Sequence, residues 1–229
     1  YLPVYLNMNH PNEHDITKII PVILLPNPDE SSARLLGVLF DEKLNFKDHF
    51  KQLHGKVAKA VFSLRIMKNL LDKRHLKLLY NAYLKSNLDY CSALFTTASK
   101  TTVNPIFILQ KKAIRIICSS SYNEHTAILF KNEEILRYED IMLFNKCKFM
   151  FDYKSNNLPK VFNNTWRLNS DLHNYPVRNN SDFYLENVNK PYLIKFPLYQ
   201  FPRAWNSLPE YLKIIDSRKE FIKELYAYL

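Results

Sequence analysis

The sequence predicts a mainly α chain, a helical bundle preceded by a short β-hairpin. Three observations carry that prediction. From Asn45 onward apolar residues recur at about 100° per residue, the period of a helix with one buried face. Before Asn45 the apolar runs are short and separated by Pro-, Asn- and Asp-rich turn material. Helix-start signals precede the later stripes: Asp72, then Asn104 with Pro105, then Ser217 with Glu220.

Taken in order, "IIPVILL" (19–25) is the strand candidate of the first 33 residues, and "PNPDESS" (26–32) is turn material. "RLLGVLF" (34–40), closed by "DEKLN", predicts a second, buried strand, with Gly37 marking a bulge or a close backbone approach. The two strands make the expected hairpin, although their connection is longer than a tight turn. Asn45 is the expected cap of the first helix, with Asp48 in its first turn near the positive end of the dipole. Phe46, Phe50, Leu53, Val57, Ala60, Val61, Leu64 and Leu71 form its stripe, and Lys47, Lys51, Lys59 and Arg65 lie off it. Asp72 caps a second helix carrying Leu76, Leu79, Tyr80, Tyr83 and Leu84. A third is expected to open at Asn104, with Pro105 preorganised for the first helical position. It turns Ile106, Leu109, Ala113, Ile116 and Ile117 inward and groups Lys111, Lys112 and Arg115 on another face.

A fourth helix is predicted over 137–154. Residues 155–192 are Asn-rich and broken by Pro159, Pro176 and Pro191. "FPLYQFPRAWNSLPEYL" (196–212) interleaves aromatics with prolines. Ser217 opens the last helix in a capping box with Glu220, and Phe221, Ile222 and Leu225 follow.

Composition narrows the function classes. With only Gly37 and Gly55 among 229 residues, neither a phosphate-cradling glycine loop nor a dinucleotide fingerprint can be built. Cys91, Cys118 and Cys147 are odd in number and widely spaced, so they predict reduced, mostly buried thiols of an intracellular protein and no zinc ribbon or disulfide framework. The longest apolar run, at 19–26, is too short to cross a bilayer. Tyr1 follows no initiator Met and no leader pattern, so the chain is expected to be part of something longer. "NNT" (163–165) and "NNS" (179–181) are read as chance matches to the glycosylation pattern. A net charge of +10 favours a polyanionic partner, nucleic acid above all. A membrane-surface role is disfavoured by the lack of an amphipathic terminus flanked by Trp and Lys.

"RLLGVLFDEKLNFKDHF" (34–50) resembles the segment that follows the catalytic palm in reverse transcriptases of non-LTR (LINE-type) retrotransposons. In that family Leu-Gly-Val, then Asp, Leu, an aromatic and His end the primer-grip hairpin and open the thumb. Here these are Leu36, Gly37, Val38, Asp41, Leu44, Phe46 and His49. Residues 78–117 are similar to the thumb and the region after it, "YNEHTAILFKNEEIL" (122–136) resembles a common His-Thr-x-x-Leu-Phe segment, and "PLYQFPRAWNSLP" (197–209) resembles the C-terminal end. The resemblance covers about residues 34–229, with its motifs in the family's order. It implies a division into the end of the palm with a grip-like hairpin (1–44), a helical thumb (45–100), a post-thumb helical region (101–155) and an irregular connector ending in a helix (156–229).

The departures matter. Reverse transcription needs paired carboxylates holding two divalent metals about 4 Å apart. The family supplies them partly from a Tyr-x-Asp-Asp turn, and this sequence has no two adjacent aspartates. The chain is therefore expected to be inactive alone and to hold no cofactor. The parent RNA-directed DNA polymerase, acting in nucleus and cytoplasm, would need Mg²⁺. The implied partners are an RNA template, a DNA primer and the upstream palm and fingers of the same polyprotein, with no membrane. Gly37 would let backbone approach the primer. Lys47, Lys51, Lys59, Arg65, Lys111, Lys112 and Arg115 would contact phosphates, against the alternative of solvated helix faces. His10 and His14 lack a third metal ligand, and His49 and His125 are expected to be buried, hydrogen-bonded structural residues. Trp205, Tyr199 and Phe201 are expected to close a core rather than stack on bases. The competing reading is a degenerate or free-standing helical module that binds RNA or protein.

Overall fold

A computed structural model of the chain describes residues 32–172, 180–185 and 192–229. The strand expected over 19–25 and the pair His10 and His14 lie outside the described residues. The fold is mainly helical, with one two-stranded antiparallel hairpin among the described residues. It divides into two compact units, one within 12–142 and one within 143–229.

The hairpin differs from the one expected. "RLLGVLF" is not a single strand: β1 (Ser32–Leu35) and β2 (Val38–Asp41) pair within it, with Leu35 opposite Val38 and Ser32 opposite Asp41. Leu36 and Gly37 form the two-residue turn, with φ of 47° and 83°. Positive φ at both central positions is the signature of a type I′ turn, whose twist matches that of the strands it joins. Gly37 therefore sits at a turn tip and marks no mid-strand bulge. Its positive φ, and not crowding, favours glycine there, since a β-carbon would meet nothing nearer than the edge of Tyr90 at 4.0 Å.

The next turn explains the aspartate of the 34–50 segment. Asp41 Oδ1 accepts from the Lys43 and Asn45 N–H groups at 3.1 and 2.9 Å. Leu44 and Phe46 follow with φ of 51° and 57°. Asn45 is not the cap, since Asp41 already holds this loop; Phe46 occupies the N-cap position with no side-chain bond. Helix α1 (Lys47–Met67) then buries Phe50, Leu53, Val57, Ala60, Val61 and Leu64. Phe46 points back into an aromatic cluster, 5.7 Å from Phe40 and 5.1 Å from Phe95 between centroids. Such edge-to-face pairs fix the angle at which hairpin meets helix.

Asp72 caps α2 (Lys73–Leu79) as expected, accepting from His75 N–H at 2.9 Å. The helix continues through a widened π turn (Tyr80–Lys85) into α3 (Ser86–Asp89). Leu76, Tyr80, Leu84 and Leu88 are all buried, a repeat of four that drifts by 40° per step in a regular helix. The wide turn absorbs part of that drift, and Tyr83, expected inward, is exposed. A 3₁₀ stretch (Ser92–Thr97) leads to α4 (Lys100–Cys118). Ser99, not Asn104, caps α4, its Oγ accepting from Thr102 N–H at 3.2 Å, and Pro105 lies inside the helix. Helix α4 packs along α1, burying Val103, Ile106, Leu109, Ala113, Ile114 and Ile117. Short α5 (Thr126–Asn132) follows, and α6 (Tyr138–Lys154) begins where a fourth helix was predicted.

One buried polar residue ties this unit together. Gln110 is fully buried, donates to Tyr80 Oη and the Leu136 carbonyl, and accepts from Tyr138 N–H, all at 2.9 Å. Tyr138 is fully buried too, and its hydroxyl has no hydrogen-bond partner among the described residues. Burial pushes that hydroxyl far above the usual tyrosine range. Because an unsatisfied buried hydroxyl is costly, Tyr138→Phe is expected to raise stability by about 1 kcal/mol. Urea midpoints of the two proteins check this, and a lower midpoint in the variant would refute it.

The second unit has an aromatic core. In α6 beyond Leu143, Cys147, Met150 and Phe151 are buried. Burial pushes the Cys147 thiol up to about 12, whereas Cys91 and Cys118 are only half-buried. A 3₁₀ turn (Lys160–Phe162) and α7 (Asn169–Leu172) follow. After a second such turn (Leu193–Lys195) come α8 (Pro197–Asn206), α9 (Glu210–Lys213) and α10 (Arg218–Tyr228). Phe151 stacks on Phe221 at 4.5 Å, and Trp205 lies 5.7 Å from Phe221. Trp205 has no exposure, so it belongs to the core as expected, with Phe201 also buried and Tyr199 half-buried. Its Nε1–H donates to the Ser181 carbonyl at 2.9 Å. Asn206 pairs with both backbone groups of Phe183, at 2.9 and 2.8 Å. Buried Lys213 donates to Asp182 Oδ1 at 2.5 Å and the Asn206 carbonyl at 3.1 Å. The Ser217 side chain makes no capping bond, although α10 starts there; Arg218 instead forks onto Asp152 at 2.6 and 3.0 Å.

Candidate nucleic-acid interface

The hairpin of residues 32–41 and α1 build the strongest candidate site. The Leu36–Gly37 tip is exposed, and the Leu36 carbonyl accepts the Tyr90 hydroxyl. Beneath the tip lies a cavity of about 320 Å³, lined among others by Gly37, His49, Gln52, Lys56, Asn87 and Tyr90. Among the described residues no carboxylate lines it. His49 is buried and its Nδ1 accepts from Leu39 N–H at 3.5 Å, so it is the structural histidine expected. Burial first, and the nearby Lys56 charge second, lower its pKa and so favour the neutral ring. His125 departs from expectation: it is exposed at the N-cap of α5 and makes no capping bond.

Lys47, Lys51, Lys59 and Arg65 are all exposed on α1. None is paired with a carboxylate among the described residues. Asp48 is the one acidic residue of the helix. The exposed side also carries Gly55, Phe62 (62% exposed) and Ile66 (50%), which the periodicity leaves off the buried stripe. Spacing by four relates Lys51, Gly55 and Lys59, and that spacing is the sequence signal that marks Gly55 as part of the face.

The α4 cations are arranged differently. Lys111 and Arg115 are half-buried, and only Lys112, about 100° further round the helix, is exposed. Lys111 Nζ lies 4.3 Å over the Phe107 ring. Arg115 donates to the Glu124 carbonyl at 3.0 Å and sits 5.7 Å from the Tyr122 ring. Its guanidinium thus holds the loop after α4, and the three cations do not share one open face.

Among the described residues no helix is long and apolar enough to cross a membrane, and no three His, Cys, Asp or Glu side chains are grouped to hold a metal ion. Comparison with protein-family models, curated proteins and solved structures finds no match to this chain.

Proposed function

We propose that this chain is the C-terminal part of a LINE-type reverse transcriptase and serves to hold template RNA and DNA primer. The observation that supports it is the set of exposed α1 cations, Lys47, Lys51, Lys59 and Arg65 with Lys56 beside them, all unpaired among the described residues, on the helix that follows an exposed hairpin tip. Four such cations on a stiff helix suit a sequence-independent phosphate track, in which each contact releases counterions. The carboxylates that would hold Mg²⁺ belong, in this reading, to the upstream palm of the same polyprotein. Holding the primer terminus in line is the contribution of this part, because positioning supplies much of the rate in phosphoryl transfer. A helical module that binds a protein is the second reading; exposed Phe62, Ile66, Leu70 (74%) and Tyr83 (61%) favour it.

Equilibrium binding to a labelled RNA–DNA hybrid tests the first reading. With four phosphate contacts, affinity is expected to fall by about 10²-fold between about 50 and 200 mM salt. Absence of binding at about 50 mM salt, or an affinity indifferent to salt, would overturn it.

A further inference from the structure

On the exposed side of α1, Lys47, Lys51, Gly55, Lys59 and Ser63 follow at a spacing of four, which winds by about 40° per step, so Lys51 and Lys59 flank Gly55 at about 40° to either side, and all five are exposed. At 1.5 Å rise per residue, Lys47 and Lys59 lie about 18 Å apart along the helix axis. Gly55 stands in the middle of this row. A glycine inside a helix is unfavourable relative to alanine, since it loses more backbone freedom on folding and packs nothing. Such a residue has an internal reason when its φ is positive or a neighbour leaves no room for a β-carbon. Neither applies at Gly55: its backbone is helical, and a β-carbon there meets nothing within 4 Å beyond the helix itself. Gly37, the other glycine, is explained by its turn. Among the described residues nothing accounts for Gly55.

The surroundings name what comes there. Lys47, Lys51 and Lys59 on the row and Arg65 elsewhere on α1 are unpaired among the described residues. Each strand of a duplex carries a phosphate about every 3.4 Å of duplex axis, and more widely spaced along its own path, so a strand passing over this span brings several phosphates within reach. Phe62, two turns from Gly55 on the same exposed side, offers an aromatic face to a base or sugar. We infer that a phosphodiester strand crosses α1 at Gly55, lying against bare helix backbone while Lys51 and Lys59 hold phosphates on either side. This rests on the strand-binding reading above and adds where the strand lies and why position 55 has no side chain.

The test uses the full chain, a labelled RNA–DNA hybrid and the matching single-stranded RNA, with Gly55→Ala, Gly55→Leu and the double variant Lys51→Ala, Lys59→Ala. Gly55→Ala is expected to raise Tm by about 2–4 °C and yet weaken binding severalfold. Gly55→Leu should weaken it further, to about tenfold, and neither should change the salt slope, because no charge is lost. The double Lys variant should lower that slope by about 2. A penalty on either nucleic acid supports the inference, and the larger one identifies the bound form. Parental affinity in both Gly55 variants overturns it while leaving strand binding intact. A lowered Tm in Gly55→Ala overturns the premise that the chain has no use of its own for this glycine. A polyglutamate competitor as effective as the hybrid overturns the assignment to nucleic acid. If the parent binds neither probe at about 50 mM salt, the strand-binding reading itself falls.

Discussion

Replacing Lys47, Lys51, Lys59 and Arg65 together by alanine is expected to cut affinity for an RNA–DNA hybrid by about 10³-fold or more at about 0.1 M salt. The size follows from counterion release. Each phosphate contact adds about 0.9 to the salt slope, which at 0.1 M is a factor of about 8 relative to 1 M, and four such factors multiply to about 4 × 10³. The fold should survive, because all four side chains are exposed and unpaired among the described residues, and alanine favours a helix. Circular dichroism and the urea midpoint should therefore match the parent while the salt slope falls by about 3–4. A parental slope in the quadruple variant would mean that these cations face solvent only.

The largest loss of stability is expected at Gln110, where alanine should cost about 3–5 kcal/mol. Gln110 has no exposure and uses both ends of its amide. Its removal strips the Leu136 carbonyl and the Tyr138 N–H of partners inside the core, each orphan costing about 1–3 kcal/mol, and leaves a void besides. Gln110→Met, which keeps much of the volume but none of the bonds, should recover the cavity share and leave a deficit of about 2 kcal/mol. Urea unfolding of the three proteins separates the two contributions. A loss below about 1 kcal/mol in Gln110→Ala would show that water replaces the amide at no cost.

The resemblance motif illustrates what a pattern does and does not reveal. Of Leu36, Gly37, Val38, Asp41, Leu44, Phe46 and His49, the residues on which the expected resemblance rests, five have a plain local task. Gly37 turns the hairpin, Asp41 clamps the loop, Phe46 and His49 pack around Phe95, and Val38 is buried. Together these residues set the angle between two strands and one long helix.

What the sequence determined by itself is whatever depends on near neighbours along the chain. The apolar stripe of α1, the Asp72 cap, the long helix after Arg137 and the exposure of Lys47, Lys51, Lys59 and Arg65 all follow from periodicity and local hydrogen bonding. The tertiary structure decided what depends on distant partners or on the hand of a turn. An apolar run of seven reads equally well as one strand or as two halves of a hairpin, and only the positive φ at Leu36 and Gly37 splits it. Ser99 capped α4 ahead of Asn104 because a helix extends upstream while its backbone groups find partners. Gln110 reads as a stray polar residue in an apolar stripe until Tyr80, Leu136 and Tyr138 close around it. Arg115 reads as a free cation until the loop after α4 folds over its guanidinium, since pairing is a property of the folded surface and not of spacing.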